Sequence, residues 1–268
     1  MTKNKSYKPT GFLSKYIDRY YIFDKSSENY FEPPPVLPGT GAELVFYLNT
    51  PLTINGKSLP KAHLICPRII AYFDKTKAIS FLSVRFKSGA FRHFSNIPFS
   101  ELNNNYFSVP DVWKKDGDHL LEQFENLSDI DLKINAIETF LFDAFKTYHS
   151  AKNDKWDLII DDLYYNFNSN FIGDLSKKSN LSLRQFERNF KSQFGLSAKE
   201  FQKITRFQDV IKKILLTRNS DYLTTILDNG YFDQSHFIKE FKSLTHKTPL
   251  DYFKTENFDT HFYHTSLQ

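Results

Sequence analysis

Apolar residues along this 268-residue chain keep two different rhythms. Up to about Trp113 they fall in short runs, Glu43–Asn49 (ELVFYLN) and Ile79–Phe86 (ISFLSVRF), rich in β-branched and aromatic residues. Turn punctuation separates them at Pro33-Pro34-Pro35, Pro38-Gly39, Asn55-Gly56, Cys66-Pro67 and Ser88-Gly89. Asn55-Gly56, between Leu52-Thr53-Ile54 and Leu59–Ile65, has the chemistry of a hairpin turn, because both residues accept positive φ. From about Asp116 the period becomes helical: Ile134, Ile137, Leu141, Ala144 and Tyr148 form one stripe. We read that helix as a cover for the β region, with a dimerisation seam as the alternative, since about two heptads do not define a coiled coil. The polar stretch His149–Asp154 reads as a linker, and Trp156–Phe167 as a further helix burying Trp156, Ile159, Ile160, Leu163 and Phe167.

The C-terminal third repeats one pattern, first over Ile172–Gly195 and again over roughly Tyr222–Thr245. Each copy is a short apolar-periodic segment, a turn residue that tolerates positive φ (Asn180 or Gly230), and a second helix with phenylalanines on one side. In the first copy Ser176 suits a close helix crossing, and Ser182 with Gln185 forms a capping box. Leu183, Phe186, Phe190 and Phe194 point inward, leaving Arg184, Gln185, Arg188 and Asn189 outside. In the second, Asp233 is the N-cap and Phe237, Phe241 and Leu244 point inward; Gln234, Ser235, Lys239 and Lys242 face out, and His236 is assigned to neither side. Between the copies, Ser197 to Glu200 opens a helix running to about Leu216 through Phe201, Ile204, Phe207 and Ile211. Such a helix spans nearly 30 Å, about one turn of DNA. Thr248-Pro249 starts a short last helix.

The outward residues suit base edges, since Arg bonds bidentately to guanine and Gln or Asn to adenine. For one amphipathic helix a solvated polar face is the plainer reading; two units in tandem reverse that preference. Charge agrees. The chain carries a net charge of only +4, yet residues 172–254 hold 15 Lys/Arg against 9 Asp/Glu, so the basic character sits in one module. There is no signal-peptide pattern behind MTKNKSYKPT and no run of about 18 apolar residues, which predicts a soluble, cytoplasmic chain with no membrane partner. The single cysteine, Cys66, forms no intrachain disulfide, suits a reducing compartment, and is read as packing.

The motifs LSLRQFERNFKSQFG and GYFDQSHFIKEFKSLTHKTP, flanking the long linker helix, resemble the DNA-binding domain of AraC/XylS-type bacterial transcription regulators, over roughly Lys155 to Lys254. The resemblance implies an all-α domain reading two successive major-groove segments of double-stranded DNA through Ser182, Arg184, Gln185, Arg188 and Asn189 and through Gln234, Ser235, His236, Lys239 and Lys242. Several positions depart from the family pattern. Ser179 and Asn180 replace a leucine–glycine pair, Ile226 an alanine, Asn229 an apolar residue, Glu240 a small or neutral residue and His246 a glycine. These changes imply looser packing of unit two, which then contributes mainly backbone contacts while unit one reads bases. By charge, Glu187 is expected to face away from DNA.

The N-terminal blocks PVLPGTGAELVFYLN and FLSVRFKSGAFRHFSNIPFSEL resemble the sensor domains found ahead of such modules, commonly small cupin-type barrels. The fold class is therefore α+β multidomain: a mostly β barrel or sandwich with covering helices over 1–149, an all-α DNA-binding domain over 154–256 and a polar tail over 257–268. Glu43 and Arg85, each in an apolar strand, with His63 and Arg68, are candidates to bind a small-molecule effector; a buried Glu–Arg pair or surface placement is the plainer reading. Homodimerisation is the other role such a domain implies. No metal or cofactor is expected: His93, His119 and His149 stand alone, and His261 and His264 lie in the tail. No GxSxG, P-loop or GxGxxG occurs, so no enzyme is expected. Ada-type repair enzymes fused to this module need several cysteines, which one cysteine excludes. A catalytic N-terminal barrel and a regulator acting through protein contacts alone are the remaining alternatives.

Overall fold

The computed structural model describes residues 2–150, 154–168, 172–217 and 223–254. Its N-terminal part is built on one antiparallel sheet in the order β1-β2-β7-β3-β6-β8: β1 (Thr2–Tyr7), β2 (Ile17–Phe31), β3 (Glu43–Tyr47), β6 (Ala62–Ile65), β7 (Thr76–Phe86) and β8 (Phe107–Ser108). The strands β4 (Thr53–Ile54) and β5 (Lys57–Ser58) form a separate ribbon. Asn55 and Gly56 turn between them at φ 51° and 75°, the hairpin chemistry their sequence predicts, although the partner strand is Lys57–Ser58 and not Leu59–Ile65. The Asp74 carboxylate accepts from both turn N–H groups, at 3.1 and 2.8 Å.

Strand alternation sends two sets of side chains to opposite faces. Leu44, Phe46, Leu64, Leu82, Val84 and Phe86 join a cluster with Trp113, Leu120, Phe124, Ile137 and Leu141. These last come from the helices α2 (Val109–Trp113), α3 (Lys115–Asn126) and α4 (Ile130–Tyr148), which follow the short α1 (Phe99–Leu102). The α4 stripe of Ile134, Ile137, Leu141 and Ala144 is buried there with Tyr148 packed against it, so the helix covers the sheet and its apolar face is not free for a dimer seam. The opposite sheet face carries Tyr21, Phe23, Tyr47, Ile79 and Phe81.

The C-terminal part is helical: α5 (Asp154–Tyr165), α6 (Ile172–Lys178), α7 (Leu183–Phe194), α8 (Ala198–Thr217), α9 (Leu223–Asp228), α10 (Gln234–Thr245) and α11 (Pro249–Lys254). α5 stops at Tyr165, short of the expected Phe167, which is half-buried in the following turn. The helical core is aromatic. Trp156 of α5 meets Phe186, Phe190 and Phe194 of α7 at centroid separations of 5.8, 6.3 and 6.0 Å. Leu37 and Ile70, from the strand-rich half of the chain, lie in this cluster too.

The two halves meet closely at the end of α7. Gly195 caps that helix at φ 75°, and a Cβ placed there would lie 2.7 Å from the Phe99 carbonyl carbon and 2.8 Å from its oxygen. Gly56 has the same φ with open space around it. Gly56→Ala is therefore expected to cost only the left-handed strain of about 1 kcal/mol, and Gly195→Ala an overpacking penalty of about 1–3 kcal/mol more. Urea unfolding of both variants checks this; equal losses would contradict the close approach.

Candidate nucleic-acid interface

Each helix-turn-helix unit is made by local chemistry that the sequence declares. In unit one the chain leaves α6 through Asn180 at φ 56° and enters α7 at Ser182, whose Oγ accepts from the Gln185 N–H while Gln185 Oε1 accepts from the Ser182 N–H at 3.0 Å. Ser182, Arg184, Gln185 and Arg188 are exposed, Asn189 and Glu187 half-buried, and Phe186, Phe190 and Phe194 fully buried. Leu183 was expected inward and is 54% exposed, because it is the first residue of α7 and precedes the turn whose spacing buries the phenylalanines. Its side chain lies on the same exposed N-terminal end as Arg184.

Unit two follows the same plan with Gly230 at φ 77° and Asp233 Oδ1 accepting from the His236 N–H at 2.7 Å. Gln234, Ser235, Lys239 and Lys242 are exposed; His236 is half-buried between the rings of Tyr231 and Phe232. Two of the departures that implied loose packing here, Glu240 and Asn229, have hydrogen-bond partners. Glu240 is buried and turned away from the outer face, bonded to Arg206 of α8 through Nε at 3.3 Å and Nη2 at 2.6 Å. Tyr231 donates to the same carboxylate at 2.6 Å and lies under the Arg206 guanidinium. Burial, followed by the Glu240 charge, pushes the Tyr231 phenol up. Asn229, fully buried, donates to the Thr225 carbonyl at 2.7 Å and accepts from Lys213 at 3.1 Å. Ile226 is fully buried in the core. His246 takes the helix-ending left-handed conformation at φ 61° that glycine would adopt more cheaply. In unit one Ser179 is buried and donates to the Ser176 carbonyl at 2.8 Å.

The C-terminal ends of both outward-facing helices are tied to the β half. Arg68 Nη2 donates to the Phe194 carbonyl at 3.4 Å and Asn103 Nδ2 to the Gly195 carbonyl at 2.8 Å. At α10, the Ile70 N–H donates to Leu244 at 3.0 Å and the Tyr72 hydroxyl to Thr245 at 3.1 Å. Arg68 was a candidate effector ligand; it is buried in this junction, with its other donors on Gly39 and Asn103, and it does not line the cavity described next. Desolvation lowers its pKa.

A small cavity of about 50 Å³ opens on the second face of the sheet. Glu43, Val45 and Tyr47 line it together, as their shared strand face predicts, with Phe81, Arg85, His63, Arg19, Leu37 and Tyr106. Glu43 and Arg85 are directly opposed across β3 and β7, their charged atoms 3.6 Å apart. His63 is buried beside Tyr47 and Tyr106, and burial pushes it down to about 4, so its ring is neutral at ordinary pH. Cys66 is buried and its thiol pushed up to about 11, consistent with packing. The expectation that His93 and His149 stand alone is corrected: their Nδ1 atoms are 2.8 Å apart, brought together by α4 and the turn after β7 across 56 residues. His261 and His264 lie outside the described residues.

A family profile described as a helix-turn-helix domain matches residues 175–255. The chain therefore carries a helix-turn-helix domain over the region whose motifs resemble the AraC/XylS type. A second profile, a domain of unknown function (DUF6597), matches residues 5–108. Curated relatives include an uncharacterized HTH-type transcriptional regulator of Staphylococcus aureus and its counterpart in strain MSSA476, each 26% identical over 136 residues. Those matches cover 48% of this chain and 18% of the relative, so the matched region is under a fifth of the relatives' length. Among solved structures, ToxT from Vibrio cholerae is 14% identical over 88% of this chain and 97% of its own, with a TM-score of 0.49. ToxT bound to an unsaturated fatty acid is 14% identical over 87% and 93%, with a TM-score of 0.46. Among the described residues no helix is long and apolar enough to cross a membrane.

Glu240 and Arg206 together fasten unit two to α8. Glu240→Ala leaves the guanidinium and the Tyr231 hydroxyl without their acceptor and is expected to cost about 3 kcal/mol. In a double-mutant cycle with Arg206→Ala, the pair of changes should cost clearly less than the two single losses added. Additive losses in thermal unfolding would show that the pair holds nothing.

Proposed function

We propose that this chain is a sequence-specific DNA-binding transcription regulator that reads two successive major-groove segments with α7 and α10. The observation that carries the reading is the pair of outward helix faces: Arg184, Gln185 and Arg188 on one, Gln234, Ser235, Lys239 and Lys242 on the other, each backed by buried phenylalanines. Gln185 spends its Oε1 on the capping box, which leaves Arg184 and Arg188, one helical turn apart, as the main candidates for bidentate base contacts. Asn189 and His236, both half-buried, stand at the margins. α8, 20 residues and so about 30 Å long, joins the two units. Work on DNA places the chain in the cytoplasm on this reading.

The β half is proposed to modulate that activity by binding a small molecule in the cavity lined by Glu43, Arg85 and His63. Its largely apolar walls, with the Glu43–Arg85 pair among them, suit a compact, largely apolar ligand with a polar group. Leu37 supports a route from the cavity to the DNA-facing half, since it lines the cavity and also packs in the helical core. A Cβ on the nearby Gly39 would lie 3.6 Å from Arg85 Nη2 and 3.3 Å from Gln208 Nε2 of α8.

Fragments selected from random DNA, and then bound by single-site variants, test the reading of bases. Arg184→Ala or Arg188→Ala is expected to relax discrimination at particular base pairs by about 1–3 kcal/mol. Lys242→Ala is expected to weaken all sequences alike and to lower the salt slope by about 1. If all three variants lost affinity equally on every sequence, base readout by α7 would be wrong.

A further inference from the structure

Two regions that are far apart in the chain, the turn after β7 and the stretch joining α4 to α5, converge on one partly buried point. His93 ends the turn after β7, His149 follows α4, and Asp154 opens α5. The two Nδ1 atoms face each other at 2.8 Å, His149 Nε2 lies 3.9 Å from Asp154 Oδ1, and one ligand atom from each of the three residues lies within 4.8 Å of the others. His93 is fully buried, while the His149 and Asp154 side chains are 25% and 51% exposed, so the point opens to solvent on one side. The ring of Phe145 stacks on both imidazoles and walls the other side.

Two imidazole nitrogens this close need something between them. Either one ring donates its N–H to the other's lone pair, or both rings turn lone pairs toward a shared cation. The far nitrogen of His93 is held at 3.0 Å by Asp157, a carboxylate that is itself paired with Arg92. A carboxylate on the distal nitrogen fixes the tautomer that presents the near lone pair, the arrangement in which histidines bind metals. Asp157 Oδ2 is also buried with no hydrogen-bond partner among the described residues.

We propose that His93, His149 and Asp154 form a binding site for a divalent transition metal of the Zn²⁺ type, with water completing the coordination. Two imidazoles and one carboxylate, with no thiolate, are a donor set such ions accept. In a tetrahedral site the two nitrogens stand about 3.3 Å apart, so binding parts the rings by about half an ångström. The ligands come from the β half, the helix that covers it, and the first helix of the DNA-facing half. A bound ion therefore clamps the junction between the halves, next to Trp156 and the α7 phenylalanines it touches.

The test uses the full chain, stripped by a chelator and titrated with Zn²⁺ against a chromophoric competitor. The wild type is expected to take up one equivalent with micromolar or tighter affinity and to melt at a higher temperature when loaded. His149→Ala is expected to lose that equivalent and the melting shift, and Asp154→Asn to weaken binding at least about tenfold. Both sites are partly exposed, and circular dichroism of the metal-free variants confirms that they fold; His119→Ala, an isolated exposed histidine, should bind as the wild type does. No stoichiometric uptake by the wild type, or equal uptake by His149→Ala, would overturn the site and leave a proton as the bridge between the rings.

Discussion

An α-helix ends with carbonyls that have no partner within the helix, and where that end is buried something else must bond them. In this chain the ends of both outward-facing helices are buried against the β half, and the β half supplies the donors. Arg68 and Asn103 serve the end of α7; the Ile70 N–H and the Tyr72 hydroxyl serve the end of α10. Arg68 also places a positive charge at the negative end of the α7 dipole. One short stretch, residues 68–72, thus reaches both units and fixes them in a common frame with α8 as the spacer.

The frame explains features that look unrelated when taken singly. Gly195 has to be glycine because the chain turns left-handed there while pressed against the Phe99 carbonyl. Leu37 and Ile70 belong by sequence to the strand-rich half and by packing to the helical core, since they lie on the stretches that cross the junction. Gly39 accepts from Arg68 and lies beside both Arg85 and Gln208, so the cavity wall and the linker helix share a neighbour. On the proposed function, a ligand in the cavity would act on this shared wall, and the outward faces of α7 and α10 would respond together.

What the sequence made legible was local. The capping box at Ser182 and Gln185, the cap at Asp233, the positive-φ turns at Asn180 and Gly230 and the α4 stripe all involve residues within a turn or two of each other. The cavity face of Glu43, Val45 and Tyr47 followed from strand alternation, although which face was covered by helices did not, because both are apolar. The misreadings involve partners far away in sequence. Glu240 and Asn229 looked like defects until Arg206 and Lys213 came within bonding distance. His93 and His149 looked solitary, and Arg68 was a candidate effector ligand although it belongs to the junction. Leu183 was misread for a different reason: the helical period was extended one residue beyond the buried turn.

The central claim is that α7 and α10 act as one rigid pair. The most direct measurement is the affinity for a selected two-block DNA site against the same site with about 5 base pairs, half a helical turn, inserted between the blocks. A rigid pair predicts that the insertion drops binding by at least about 100-fold, toward the level of unrelated DNA. Unchanged affinity for the lengthened site would mean that the two helices move independently, and would contradict the frame described above.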